Sequence, residues 1–473
     1  MRKSGPPTVP SDKAPPLSGL GIAMAPGWLP LFGHSLWLQR RPLRFLESLS
    51  AHGDILRFRI GARESLVVCD PELTAQMLRN DRVFDKQGGF NPAQREFSGA
   101  QLVTYSYNEH REPRRIVQPA FHANRMEGYA ALMNDAIDSV LNSWRDSQTL
   151  DMQAEMYAIT INVIFSTLMG VKPSGETVSH LVDDLRRKNA SLRARVFVPD
   201  WLAWTRRLPT PANRAYRYAI ARSRRLAAEL FGDMSVDAQP GTMAAMLVES
   251  RDSLPQRAVA GRSLTDYAVQ LNLGTFVFAG SDTTANTIVW ALHLLAKHRD
   301  VLERVRAELD AVLAGRRATV ADIPQLALTS NVFTETLRLY PTTWIGNRMT
   351  TTDARLGSYH IPAGTTIFWS PYVIHRRADL YPEPTRFDPD RWDRSSTRRP
   401  LSGDYVPFSI GPRKCIGDNF ARIESILALA AILARWDLAP VDESAVYAQA
   451  GSLLTPENVW MRVTARDTLK ADA

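Results

Sequence analysis

The sequence predicts a mainly α-helical fold with a minor β region, and three observations carry that expectation. Apolar residues from about Met126 to Gln325 recur with mainly helical spacing. Within that stretch Thr265–Lys297 holds no proline, and at 1.5 Å per residue a helix over it is about 50 Å long, enough to cross a domain. Strand-like patterns are short. No strand–helix alternation of the doubly wound kind, no GxGxxG after a strand and no internal repeat interrupts the helical character.

The elements follow in order. Residues 1–26 carry six prolines and few large apolar groups, and read as a flexible arm before a single domain over 27–473. Asp54–Ile60 alternates apolar Leu56, Phe58 and Ile60 with Arg57 and Arg59. Gly61–Glu64 can turn and Leu66–Cys69 follows as a buried strand, so this segment is a hairpin. Asp70 then caps a helix with Pro71 at its first position. Ser263 or Thr265 can cap the long helix. Past Tyr340-Pro341 the chain forms short strands at Tyr359–Ile361 and Thr365–Ser370. Tyr381–Trp392 is irregular, and a last strong helix begins after Cys415.

With 45% hydrophobic and 22% charged residues the chain is globular rather than disordered. Cys69 and Cys415 are its only cysteines, which excludes a disulfide framework and a four-cysteine iron–sulfur cluster. No anchor helix or secretory signal is legible near the N-terminus, so the expected setting is the reducing cytoplasm. The net charge of +8 is concentrated: residues 181–230 hold 12 basic and 4 acidic side chains. Val196–Arg207, with Trp201 and Trp204, lies inside that window. Such a segment suits an anionic membrane surface or nucleic acid, and equally a solvated, Arg-rich pair of helices.

Three constellations carry chemistry. Cys415 sits in Phe408-Ser409-Ile410-Gly411-Pro412-Arg413-Lys414-Cys415-Ile416-Gly417. Its glycines let backbone approach a flat ligand, and the following helix start with Arg413 and Lys414 favours a metal-ligating thiolate. Glu335 and Arg338, at i and i+3, stand side by side on a helix. Ala279-Gly280-Ser281-Asp282-Thr283-Thr284 interrupts the long apolar helix. Its acid and hydroxyls can relay protons or open the helix locally, and its small residues can equally form a notch where another helix crosses.

Together these residues resemble the cytochrome P-450 family of haem-thiolate monooxygenases. The cysteine loop matches F-x-x-G-x-R-x-C-x-G at every fixed position. The E-x-x-R pair, the A-G-x-D-T-T segment and Pro384-Thr385-Arg386-Phe387 follow the family's order. Pro42–Leu49, Ala51–Asp54 and Val67–Thr74 look most like the actinobacterial pentalenene oxygenases, which oxidise a sesquiterpene. The resemblance implies the P-450 fold, with the long helix over haem b and Cys415 as axial iron ligand. It implies Asp282 and Thr283 as the acid–alcohol pair delivering protons to dioxygen, with Ala279 and Gly280 leaving room for oxygen. Haem propionates would meet His110, Arg114, Arg348 and Arg413. Pro113 inside the His110–Arg114 stretch leaves the local register open. Glu335, Arg338 and Arg386 would form a buried ion triad bracing the cysteine loop.

The resemblance also implies partners. No flavin or nicotinamide domain remains, so electrons from NAD(P)H arrive through external proteins, a ferredoxin and its reductase. Arg111, Arg115, Lys414 and Arg422 would steer the ferredoxin from the cysteine side. The substrate contacts expected are Phe90, Phe276, Trp344 and Ile345, apolar and without a charge to grip a carboxylate. They favour a terpenoid of secondary metabolism over the alternatives: a fatty-acid or polyketide hydroxylase, or a peroxygenase or isomerase of the same fold. No nucleic-acid partner is implied, and the basic segment 196–207 would cover the substrate entrance, where it can touch membrane peripherally.

Overall fold

The computed structural model describes residues 17–86, 102–231, 242–245, 258–259, 262–393 and 403–466. At its centre is the long helix, Leu264–Lys297, which begins just after Ser263. It packs along Met152–Met169 and against Asp418–Arg435, the helix that follows Cys415. Asp151 starts Met152–Met169 by accepting from the Gln153 and Ala154 N–H groups. Gly170 ends it in the left-handed region, φ 69°. That helix is apolar on nearly every face because it runs through the largest core cluster.

The main sheet has five strands in the order Ile55–Ile60, Arg63–Val68, Thr366–Trp369, Gly346–Thr350 and Phe84–Asp85. The first pair is the expected hairpin, antiparallel with Ile60 opposite Arg63. Its turn is tighter than the sequence suggested, since the second strand already begins at Arg63. Asp70 caps Pro71–Arg79 through a 2.8 Å bond from Leu73 N–H, as the Asp-Pro pair predicts. A smaller sheet joins Trp436–Pro440, Trp460–Ala465 and Gln148–Asp151, beside the hairpin Tyr447–Ala450/Leu454–Glu457.

The N-terminal arm expected over 1–26 is a correction where it is described. Residues 1–16 lie outside the described residues, but Leu17, Ile22 and Ala25 are buried. Ala25 N–H donates to Arg57 O at 2.7 Å, and Arg57 N–H returns a bond to Ala23 O at 2.8 Å. Proline content hid these few apolar anchors, which cover one side of the hairpin. Among the described residues no helix is long and apolar enough to cross a membrane.

Candidate active site

Cys415 is solvent-accessible although its sulfur lies deep in the fold, three residues before Asp418–Arg435 begins. Its loop is pinned from within: Cys415 N–H donates to Phe408 O and Lys414 N–H to Gly411 O. Gly411 has φ 74°, and a Cβ there would lie 2.5 Å from Leu78 O. Only glycine fits that approach. The sequence led us to expect only influences that favour the thiolate. Burial acts first and raises the thiol, while the Gly417 N–H, Arg114 and Lys414 oppose it.

Cations gather around this loop. Arg114 donates to Lys414 O at 2.8 Å. Arg413 is buried and donates to Asp81 at 2.8 Å, Asp85 at 3.2 Å and Tyr105 O at 2.9 Å. Arg348 is buried, and burial followed by the nearby Arg413 lowers it to about 10. Its Nε, with Nδ2 of neighbouring Asn347, has no hydrogen-bond partner among the described residues. His110 is buried, and desolvation with Arg413, Lys86, Arg114 and Arg348 around it lowers its pKa to about 3. It is therefore a neutral imidazole at pH 7. Pro113 sits inside Tyr107–Val117 without ending it, so His110 and Arg114 share one helix. An orphaned buried guanidinium N–H amid so much positive charge calls for an anion. With an accessible cysteine beside it, this donor set fits the thiolate-bound iron and two propionates of haem b.

The segment 279–284 divides by face. Ala279 is exposed and Thr283 half-buried, one turn apart on an open flank, and Thr283 Oγ1 donates to Ala279 O at 2.7 Å. The Phe121 ring joins this region to the cysteine helix: it meets Phe276 at 5.2 Å and Phe420 at 6.4 Å. Gly280 serves the helix-crossing reading: a Cβ there would lie 2.5 Å from Ile164 Cδ1 on Met152–Met169. Asp282 also turns to that side. It is buried, and its Oδ1 accepts from Tyr157 Oη at 2.8 Å and Asn286 Nδ2 at 2.9 Å.

The ion triad needs a second correction. Glu335 and Arg338 are fully buried and paired at 2.7 Å. The Arg386 side chain is largely exposed and pairs with Glu383. Only its backbone carbonyl takes part, accepting from Arg338 at 3.0 Å. The third cation at Glu335 is Arg391, 3.5 Å away, and Trp392 Nε1 donates to the same carboxylate at 2.9 Å. The positive φ of Glu383, 47°, marks the bend that leaves Arg386 outside.

Of the expected substrate contacts, Phe90 lies outside the described residues. Trp344 is a correction: it is completely buried, bonded to Gly451 O at 3.0 Å and packed on Phe197. Its size makes it core. Ile345 is half-buried, and Phe276 is buried against Phe121. Sequence reading also missed Asp81, Asp85 and Tyr157, whose roles depend on partners far along the chain. An Arg-Trp pair at 391–392 was the one local signal available.

The same conclusion comes from comparison with known proteins. The family described as cytochrome P450 matches residues 24–460. The cyclooctat-9-en-7-ol 5-monooxygenase of Streptomyces melanosporofaciens is 38% identical over 442 residues, 93% of this chain and 95% of its own. The pentalenene oxygenase of Streptomyces avermitilis is 37% identical over 451 residues, 93% and 97% of the two chains. The cyclooctatin synthase of S. melanosporofaciens is 37% identical, covering 88% and 90%. Likeness of this extent runs through the sheet, the long helix and the cysteine loop alike, and the chain belongs to the cytochrome P450 family of monooxygenases, which use haem and dioxygen.

Proposed function

We propose that this protein inserts one atom of dioxygen into an unactivated C–H bond of a cyclic terpenoid, with electrons from NAD(P)H passed through a reductase and a ferredoxin. The observation that carries the reading is the accessible Cys415, whose loop is joined through the Phe121 ring at Gly417 and Phe276 to the long helix just before its open Ala279–Thr283 flank. Two relatives named as oxygenases of cyclooctat-9-en-7-ol and of pentalenene, and a third named cyclooctatin synthase, support the substrate class. When bound, haem would supply the oxygen activation, its iron held by the Cys415 thiolate. His110 and Arg348 would donate to its propionates. Arg114 and Arg413 add charge while their own bonds brace the loop. Asp282 and Thr283 hold and pass protons, and Phe276 and Ile345 supply apolar surface.

Oxygen-18 labelling of products from a panel of cyclic terpenoids and fatty acids tests the reading. Label in a terpenoid alcohol is expected; oxidation of fatty acids alone, or conversion without dioxygen, overturns it. Thr283→Ala is expected to keep the haem spectrum and lower product formed per NAD(P)H consumed by roughly tenfold or more, as a positioned proton donor is lost. Unchanged coupling would leave Thr283 as a packing residue.

Arg111, Arg115 and Lys414 are exposed near the Cys415 loop and Arg422 is half-buried. This charge suits an acidic ferredoxin. The segment 196–207 lies elsewhere and joins a second surface. Trp201 stacks edge-on against Phe32 at 5.5 Å, and Trp28, Leu31, Phe32, Trp37, Trp201 and Trp204 are all exposed. Trp201 against Phe32 and Leu31, with Trp204 and Arg207 exposed on the same short segment, suits peripheral contact with an anionic membrane that holds an apolar substrate. Sedimentation with anionic liposomes at low salt is expected to pellet the wild type and not a Trp201→Ala, Trp204→Ala, Arg207→Ala variant. Equal behaviour of the two would make this surface ordinary.

A further inference from the structure

A cavity of about 310 Å³ lies where the start of Met152–Met169, the helix Gly175–Val196 and the C-terminal strands meet, apart from Cys415 and the cations around it. Trp460 lines it while keeping 47% of its surface exposed, and its cross-strand partner Asp151 shares its face of the smaller sheet. Glu457 enters from the end of the hairpin. Asn458 stands between Glu457 and Trp460 with φ 62°, a left-handed bend that brings both side chains to one cavity. The charges on this wall are unequal. Asp151 is satisfied: Oδ1 accepts from the Gln153 and Ala154 N–H groups, and Oδ2 accepts from Arg186 Nη2 at 2.6 Å. Arg186 and Asp151 thus balance each other. Glu457 is half-buried and forms no ion pair among the described residues, and Thr455 Oγ1 reaches it only at 3.4 Å. Taking a carboxylate out of water without a partner is unfavourable. One negative charge is left over, in a cavity with an exposed indole at its mouth.

We propose that this cavity binds a small organic ammonium ion, a quaternary or methylated amine, paired with Glu457 and covered by the Trp460 ring. An ammonium supplies the missing positive charge, and an indole face attracts a cation more strongly than the other aromatic rings do. An anion would meet Glu457 and Asp151. A neutral ligand would leave the Glu457 carboxylate unpaired, and a bare calcium or magnesium ion needs more oxygen ligands than one free carboxylate provides. The amides of Gln449 and Asn458, both on the wall, can accept from a hydroxyl carried by the ligand. Binding is linked to protons at Glu457. Burial raises its carboxyl, Arg186 and the Thr455 hydroxyl lower it, and Asp151 raises it. Tyr447 stands opposite on the hairpin, and Tyr157 lines the helix side. A bound cation favours the ionised carboxylate, so affinity rises with pH until Glu457 is ionised without the ligand.

Calorimetric titration of the holoenzyme with choline chloride tests the site. The control probe is the uncharged isostere of choline, in which a tert-butyl group replaces the trimethylammonium group. Choline is expected to bind, and the isostere roughly tenfold or more weakly, because the charge is what Glu457 recognises. Glu457→Gln keeps the volume of the side chain. It should weaken choline binding roughly tenfold or more and abolish its pH dependence. Trp460→Leu should weaken choline about threefold, and Trp460→Phe by less. The haem spectrum should stay unshifted at saturating choline, since the cavity lies away from Cys415. Absence of choline binding, equal affinity for the two probes, or wild-type affinity in Glu457→Gln or Trp460→Leu overturns the proposal. A choline-induced shift of the haem spectrum also overturns it, by placing the cation beside the haem.

Discussion

Cys415→Ser is expected to abolish the reduced, carbon monoxide-bound thiolate-haem spectrum, and Cys69→Ser to leave it at wild-type intensity. The two cysteines differ in every property that decides ligation. Cys69 is completely buried at the end of a central strand, where desolvation pushes its thiol up to about 12. There it behaves as a small apolar side chain. Cys415 is accessible, and its sulfur accepts from Gly417 N–H with Arg114 and Lys414 nearby. Burial, and after it the Asp418 carboxylate, disfavour its thiolate, so metal binding would supply the remaining drive for deprotonation. A serine hydroxyl keeps the shape of the loop but is a far poorer iron ligand. The expected loss is therefore complete rather than partial. A surviving thiolate spectrum in the Cys415 variant would remove the assignment and, with it, the proposed oxygenation.

Legibility in the sequence followed the range of the interactions. The hairpin, the Asp70 cap and the proline-free long helix rest on neighbours within a few residues, and each stands where its pattern placed it. The cysteine loop was legible for the same reason. What the sequence concealed was side-chain direction on the long helix. Ala279 and Thr283 share a flank by helical spacing, but only the crossing with Ile164 turns Gly280 and Asp282 to the other side. Tyr157 meets Asp282 across 125 residues of chain, and no local pattern announces such a bond. Arg386 failed because proximity in sequence stood in for direction: the bend at Glu383 sends its side chain outward, and Arg391 arrives instead.

The second large effect is expected at Glu335. Its two carboxylate oxygens accept from Arg338 Nη2 and Nε, each at 2.7 Å, from Asp388 N–H at 3.0 Å and from Trp392 Nε1 at 2.9 Å. Arg338 in turn donates to the carbonyls of His375, Pro384 and Arg386. One buried pair therefore ties the helix Ala327–Leu339 to the irregular segment that leads toward the cysteine loop. Glu335→Ala leaves Arg338 charged, buried and without its carboxylate. That typically costs about 3–5 kcal/mol, a large share of the roughly 5–15 kcal/mol that holds a domain folded. Chemical unfolding followed through the haem band should show the midpoint falling accordingly, with haem lost early in the transition. Glu335→Gln keeps the volume and an acceptor and should fall between the two. Arg386→Ala removes only an exposed side chain while its carbonyl remains, so its effect should stay within about 0.5 kcal/mol. If Arg386→Ala proved as damaging as Glu335→Ala, the cation bracing Glu335 would be Arg386 after all, and the bend at Glu383 would not set the direction argued from it.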